Sequence, residues 1–141
     1  MLIAEHFDKS LVLLRHRLRW QLDDVVSFKL NSRSQRSVAG LTPEGQERAK
    51  HWCALDWRLY QHFNRTFGAS VRAELGPRRL RAEVERLRAR LHELTALCLQ
   101  DGVPKNKTQI ADPKLLPYQS GEADIWGYNL RQGLDNETLR M

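Results

Sequence analysis

The chain has 141 residues, 41% of them hydrophobic, with 23 Lys+Arg against 17 Asp+Glu for a net charge of +6. That length suits one small domain with enough apolar content for a core, and no apolar run approaches the roughly 18 residues that a membrane-spanning helix needs. The positive charge is mostly arginine, which suits either a solvated basic surface or bidentate contact with phosphate, sulfate or carboxylate.

The chain opens with "MLIAEHF", read as a short buried strand and lacking the basic, apolar, small-residue pattern of a secretory leader. Asp8 is placed to cap the helix "KSLVLLRHRLRW", with Leu11, Leu14, Leu18 and Val12 as its buried stripe and Arg15, Arg17 and Arg19 on the flanks. "DDVVSFKLN" has β-branched and aromatic residues at its centre and reads as a second strand. Residues 1–30 therefore predict strand, helix, strand, the pattern of a βαβ unit.

Residues 31–40 are polar and form a loop carrying Asn31, Ser32, Arg33, Ser34 and Arg36. In an open α/β sheet, ligands bind beyond the carboxyl ends of the strands, so this loop is either a site for an anionic ligand or an exposed linker. Residues 42–100 form the helical part. Thr42 caps, Pro43 fits the first helical position, and Ala49, Trp52, Asp56, Leu59, Phe63 and Phe67 follow one face, with Cys53 and Tyr60 beside it. Gly76 and Pro77 end that unit and start another helix, in which Leu80, Val84, Leu87, Leu91, Leu94 and Cys98 alternate steps of four and three as a heptad seam. This seam packs onto its own domain or, in a second reading, makes the chain a small basic helical interaction protein. Residues 101–141 are rich in Gly, Pro and turn pairs and predict an irregular tail strapped down by scattered aromatics.

Three of the five asparagines, Asn64, Asn106 and Asn136, sit in N-x-Thr glycosylation acceptors, where composition alone predicts about 0.4. That excess implies passage through the secretory pathway, and with it an expected segment upstream of Met1. Cys53 and Cys98 show no zinc-ligand spacing and no metal is expected. They are either small buried hydrophobes or, in an oxidising lumen, partners in a disulfide closing a loop of about 45 residues, worth about 4 kcal/mol. The five histidines are dispersed, no P-loop, nucleophile-elbow or H-E-x-x-H motif occurs, and glutamates interrupt the arginine-rich helix. These observations argue against metal hydrolysis and nucleic-acid binding.

"LIAEHFDKSLVLLRHRLRW", "DDVVSFKLNSR", "WCALDWRLYQHFN" and "WGYNLRQGLDN" resemble, in order along the chain, the carboxyl-terminal part of the galactose 3-O-sulfotransferases. The likeness is closer to those acting on glycoprotein and mucin-type galactose than to the cerebroside enzyme. It implies a type II Golgi membrane protein anchored through an amino-terminal segment not in this chain. Its luminal α/β domain would have a nucleotide-kinase-like, P-loop-type core, of which residues 1–141 are one partial domain, mostly α-helical with two short strands. The implied sulfate donor is 3′-phosphoadenosine 5′-phosphosulfate and the implied acceptor a galactose-terminated glycan or glycolipid. The family's phosphosulfate loop of the Pro-Lys-Thr-Gly-Gly type, its 3′-phosphate motif and its catalytic residues are expected upstream of Met1, so the 141 residues alone are expected to be inactive. In the related uronyl 2-O-sulfotransferases a Lys- and Thr-rich loop before a Trp-bearing helix helps enclose the donor. By that likeness Asn31, Ser32, Arg33, Ser34 and Arg36 are the donor-side candidates, with Arg and Ser in place of Lys and Thr.

Overall fold

The computed structural model describes residues 1–29, 32–33, 40–117 and 125–135. The chain is mostly helical: α1 spans Phe7–Leu18, α2 Pro43–Trp52, α3 Ala54–Glu74 and α4 Gly76–Cys98, while the two-residue strands β1, Ser32–Arg33, and β2, Ile125–Trp126, form an antiparallel pair. Residues cluster into two compact units, one of 1–25 and 40–88, the other of 26–39 and 89–141.

In the first unit, the expected opening strand is absent. The backbone N–H of Ile3 donates to Ser10 Oγ at 3.0 Å, and that hydroxyl donates back to the Ile3 carbonyl at 2.9 Å. One buried serine thus satisfies both polar groups that a strand would have to pair with a neighbour, and the chain turns through a 3-10 segment, Ala4–His6, directly into α1. Asp8 consequently lies inside the first turn instead of capping it, and its carboxylate accepts from Arg88 at 2.7 Å.

The buried face of α1 also differs from the expected stripe. Ser10, Val12 and Leu13 are the buried residues of α1, Leu11 and Leu14 are half-buried, and Leu18, expected inside, is 48% exposed. The second expected strand is likewise replaced by a 3-10 turn, Asp23–Val25, in which Asp24 accepts from the Gln21 N–H at 2.7 Å. Aspartates that bond local backbone favour turns over ladders, and only Val25 of the β-branched pair is buried. No βαβ unit forms among the described residues.

Phe67, Val71 and Leu75 from α3 and Leu87 from α4 are also buried in this unit, with Leu13 fully enclosed. His6 stacks on Phe67 at 5.7 Å between ring centroids. The arginines on the flanks of α1 reach other helices: Arg15 bonds Glu83 at 2.5 Å, and Arg17 holds Glu74 with two bonds of 3.0 and 2.6 Å.

Thr42 caps α2 as expected, its hydroxyl accepting from the Gly45 N–H at 3.1 Å, with Pro43 in the first position. The predicted single helix breaks at Cys53. Its stripe is covered only at the far end: Phe67 is buried and Phe63 half-buried, whereas Trp52 is 90% and Leu59 55% exposed, and Cys53 is exposed as well. The pattern makes one side apolar but does not supply the element that covers it. Gly76, at φ +70°, takes the left-handed turn into α4 that a side chain would resist. The heptad seam is turned inward, with Leu87, Leu94 and Cys98 buried and Leu80, Val84 and Leu91 half-buried.

In the second unit, backbone hydrogen bonds hold the described part of the tail. Lys105 and Gly127 exchange bonds of 2.8 and 2.9 Å, the Gln100 N–H donates to the Asn129 carbonyl at 2.9 Å, and the Arg131 N–H donates to the Cys98 carbonyl at 2.8 Å. Trp126 and Tyr128 are half-buried beside this strap. Both cysteines are free thiols, Cys53 exposed and Cys98 buried.

Candidate functional site

Of the donor-side residues named from the sequence, Ser32 and Arg33 form β1, opposite Trp126 and Ile125 respectively. Asn31, Ser34 and Arg36 lie outside the described residues, as does the Asn136 acceptor. The pairing brings the start of the arginine loop against the start of the "WGYNLRQG" segment, two pieces of chain more than ninety positions apart. Gly127 follows at once. A Cβ there would sit 3.3 Å from Ile110 Cδ1 and from Pro117 Cδ, so the absence of a side chain lets the segment lie flat at that point.

Beyond Gly127, Asn129, Arg131 and Gln132 line a cavity of about 980 Å³ with Gln100 and Asp112. Asn129 holds the wall in shape: its amide donates to the Gln109 carbonyl and accepts from the Ala111 N–H, both at 2.9 Å. Arg131 Nε donates to the Leu99 carbonyl at 3.0 Å. Gln100 and Gln132 contribute amides that both donate and accept, beside the apolar Pro113, Leu115, Leu130 and Leu134, a mixed lining suited to a ligand with hydroxyl groups and an apolar face. In the sequence this segment stands out by its resemblance and by its strapping aromatics, not as the wall of a cavity. The signal available was the run of Asn129, Arg131 and Gln132 directly after the aromatic residues Trp126 and Tyr128.

Among the described residues no three His, Cys, Asp or Glu side chains gather as a metal site. Shifted carboxyls belong to ion pairs. Asp101 is held below the usual carboxylate range first by its hydrogen bond to Lys105 and then by the Val103 N–H. Glu74 is lowered chiefly by its bond to Arg17. Glu5 is exposed and His6 packs on Phe67. The two described acceptor asparagines differ. Asn64 sits half-buried within α3, and its Thr66 hydroxyl donates to the His62 carbonyl at 3.0 Å. Asn106 caps a 3-10 turn, and the Thr108 hydroxyl donates to its Oδ1 at 2.8 Å.

The galactose-3-O-sulfotransferase family model matches residues 1–141. Galactose-3-O-sulfotransferase 2 of Sus scrofa is 74% identical over 141 residues, covering 100% of the chain and 35% of the relative. The Homo sapiens protein of that name is 75% identical over 140 residues, 99% of the chain and 35% of the relative. Galactosylceramide sulfotransferase of Bos taurus is more distant, 40% identical over 135 residues, 95% of the chain and 32% of the relative. The chain thus spans about a third of the length of these curated relatives. No solved structure matches it. With the match unbroken from end to end, the chain belongs to the galactose-3-O-sulfotransferase family.

Proposed function

We propose that the chain is the carboxyl-terminal part of a Golgi sulfotransferase that moves sulfate from 3′-phosphoadenosine 5′-phosphosulfate to the 3-hydroxyl of galactose in glycoproteins or glycolipids. The observation that carries this reading is the 74–75% identity to galactose-3-O-sulfotransferase 2 along the whole chain. In such a transfer the bond from sulfur to the donor's bridging oxygen breaks as a new bond forms to the sugar oxygen. The hydroxyl proton passes to a base, and 3′-phosphoadenosine 5′-phosphate leaves.

Within these 141 residues the loop of Asn31, Ser32, Arg33, Ser34 and Arg36 is assigned to the donor side, in a nucleotide-kinase-like core completed by the rest of the protein. The amide-lined cavity beside the "WGYNLRQG" segment is assigned to the galactose-bearing acceptor. Residues for the base and for the phosphosulfate cradle are assigned to the length that the relatives have and this chain does not span. No helix among the described residues is long and apolar enough to cross a membrane, and the anchoring segment is assigned to that same remaining length. The alternative of an interaction protein built on the Leu80–Cys98 seam gains no support, because Leu87, Leu94 and Cys98 are buried.

The test uses a protein of the relatives' full length that contains these residues, with labelled sulfate transfer to a galactoside as the readout. Arg33→Ala and Arg36→Ala should each weaken the donor's apparent affinity about tenfold or more, the contribution of a charged hydrogen bond to phosphate, and leave the acceptor's nearly unchanged. Arg81→Ala, exposed on α4, should alter neither. The 141-residue chain alone should transfer no sulfate. Wild-type donor kinetics in both loop variants would reject the donor assignment, and an absence of transfer to any galactoside by the full-length protein would reject the activity.

A further inference from the structure

The first unit holds a second concavity, a groove of about 490 Å³ between the end of α1 and the start of α4. Its lining is unbalanced in charge. Arg15, Arg19, Arg79 and Arg86 face it with one carboxylate, Glu83, and with His16. Glu83 is shared, bonded to Arg15 at 2.5 Å and to Arg86 at 3.1 Å. Arg19 and Arg79 make no ion pair among the described residues, so two guanidinium groups present unneutralised donor forks to the groove.

Hydrogen bonding shows the same deficit of acceptors. Arg15 Nε is buried without any partner among the described residues, and a buried donor left this way is costly unless something supplies an acceptor nearby. Arg19 is also the one non-glycine among the described residues with positive φ, at 56°. A helix end of that geometry ordinarily takes glycine, and here the position instead carries a guanidinium on the rim of the groove. Trp20 follows it and is 45% exposed, an indole face open beside the arginines.

We infer that this groove is a binding site for an anionic saccharide, a sugar ring bearing sulfate or carboxylate. A planar guanidinium pairs with a two-oxygen face of either group, and an exposed indole offers an apolar face with a polar edge for the C–H side of a pyranose. The volume is that of a small-ligand site. The apolar side chains other than Trp20, Val12 and Leu75, are buried, so the groove offers one open aromatic face and no apolar slot to sandwich an adenine. This assignment concerns residues separate from the donor loop and from the amide-lined cavity, and does not depend on the roles proposed for them.

The test measures binding to the 141-residue chain by calorimetry at low salt. The probes are a heparin-derived tetrasaccharide, 3′-sialyllactose, lactose, inorganic sulfate and adenosine 3′,5′-bisphosphate. At least one of the two acidic saccharides should bind at least tenfold more tightly than lactose and than inorganic sulfate. Which one does so tells sulfate from carboxylate as the favoured group. Arg19→Gly removes the guanidinium at a position where glycine suits the backbone, so it should fold normally while binding the saccharide about tenfold more weakly. Arg79→Gln should do the same, and Trp20→Ala should weaken the saccharide but not inorganic sulfate. Arg65→Gln, outside the groove, should bind like the parent. Equal binding of lactose or of inorganic sulfate, or unchanged affinity in folded Arg19→Gly and Arg79→Gln, would overturn the assignment. Tighter binding of adenosine 3′,5′-bisphosphate than of either saccharide, lost in the same variants, would make the groove a nucleotide site and overturn it as well.

Discussion

The stripe of α2 and the first half of α3 and the seam of α4 are built from the same kind of pattern, apolar residues recurring every three or four positions, yet they meet different fates. Along α4, Leu87, Leu94 and Cys98 are buried. Along α2 and α3, Trp52 and Leu55 face solvent at 90% and 78% exposure. Periodicity specifies which side of a helix is apolar, and a separate stretch of chain must then arrive to cover it. In the later part of α3 the stripe is covered, with His6 stacked on Phe67, and Phe67, Val71 and Leu75 are buried.

The sharpest way to break this contrast is to truncate one residue on each side of it. Leu87→Ala should cost about 2–4 kcal/mol, since it empties a buried site. Leu55→Ala should change stability by no more than about 0.5 kcal/mol, as an exposed substitution. Both are read from urea midpoints of the 141-residue chain, and comparable losses would mean that the α2–α3 stripe is covered after all. A smaller effect, about 1–3 kcal/mol, is expected for Ser10→Ala, which leaves the buried Ile3 N–H without its acceptor, while the Ile3 carbonyl keeps the His6 N–H as donor. An unchanged midpoint would show that the opening residues pair in another way.

Arg19→Gly should stabilise the chain by about 0.5–1 kcal/mol, because it relieves a left-handed backbone at the end of α1. A loss would indicate that the arginine's own contacts outweigh that strain. The smallest effect concerns pH. Arg17 holds the Glu74 carboxyl below its unfolded range. The pair's contribution is therefore present above the unfolded carboxylate value and falls away as pH drops through the lower, folded one. Both side chains are exposed enough for solvent to screen them. The difference in midpoint between the parent and Glu74→Gln should be small at pH 7 and shrink as pH falls through the folded carboxyl's lowered range. A difference that grows on acidification would contradict the assignment.

Two helix starts were legible because they depend on a few adjacent residues, Thr42 with Pro43 and Gly76 with Pro77, whereas Asp8, which has the same capping chemistry, lies inside the first turn of α1. The α4 seam was legible too, since its alternation repeats over the length of the helix. The strands were not. "MLIAEHF" and "DDVVSFKLN" have strand composition, but Ser10 and Asp24 bond their backbone locally, and such competition is invisible to hydrophobic pattern. The strands that do form, at Ser32–Arg33 and Ile125–Trp126, join segments too far apart for any local rule to pair them. The amide-lined cavity escaped notice for the same reason, its walls coming from Gln100, Asp112 and residues 129–134. The glycan acceptors and their order were legible, since Asn106 and Asn136 stand in turn-rich sequence and Asn64 beside an apolar helical stripe. In the full-length protein Asn106, at the start of an exposed turn, should be occupied more fully than Asn64 within α3, and peptide mapping after glycosidase treatment would reveal the reverse order if the helix does not restrict it.

The two cysteines make the chain its own clock. An alkylating reagent in excess should consume the Cys53 thiol at nearly the rate of a free peptide, because nothing shields it. Cys98 can react only when the final turn of α4 parts from the strap, breaking the bond from the Arg131 N–H to the Cys98 carbonyl. When reclosing outpaces the reagent, the ratio of the two rates reports how rarely that end of the helix opens. A saccharide seated among the arginines of the first unit should leave this slow phase unchanged if the opening is local, and should lengthen it if α4 melts as a whole.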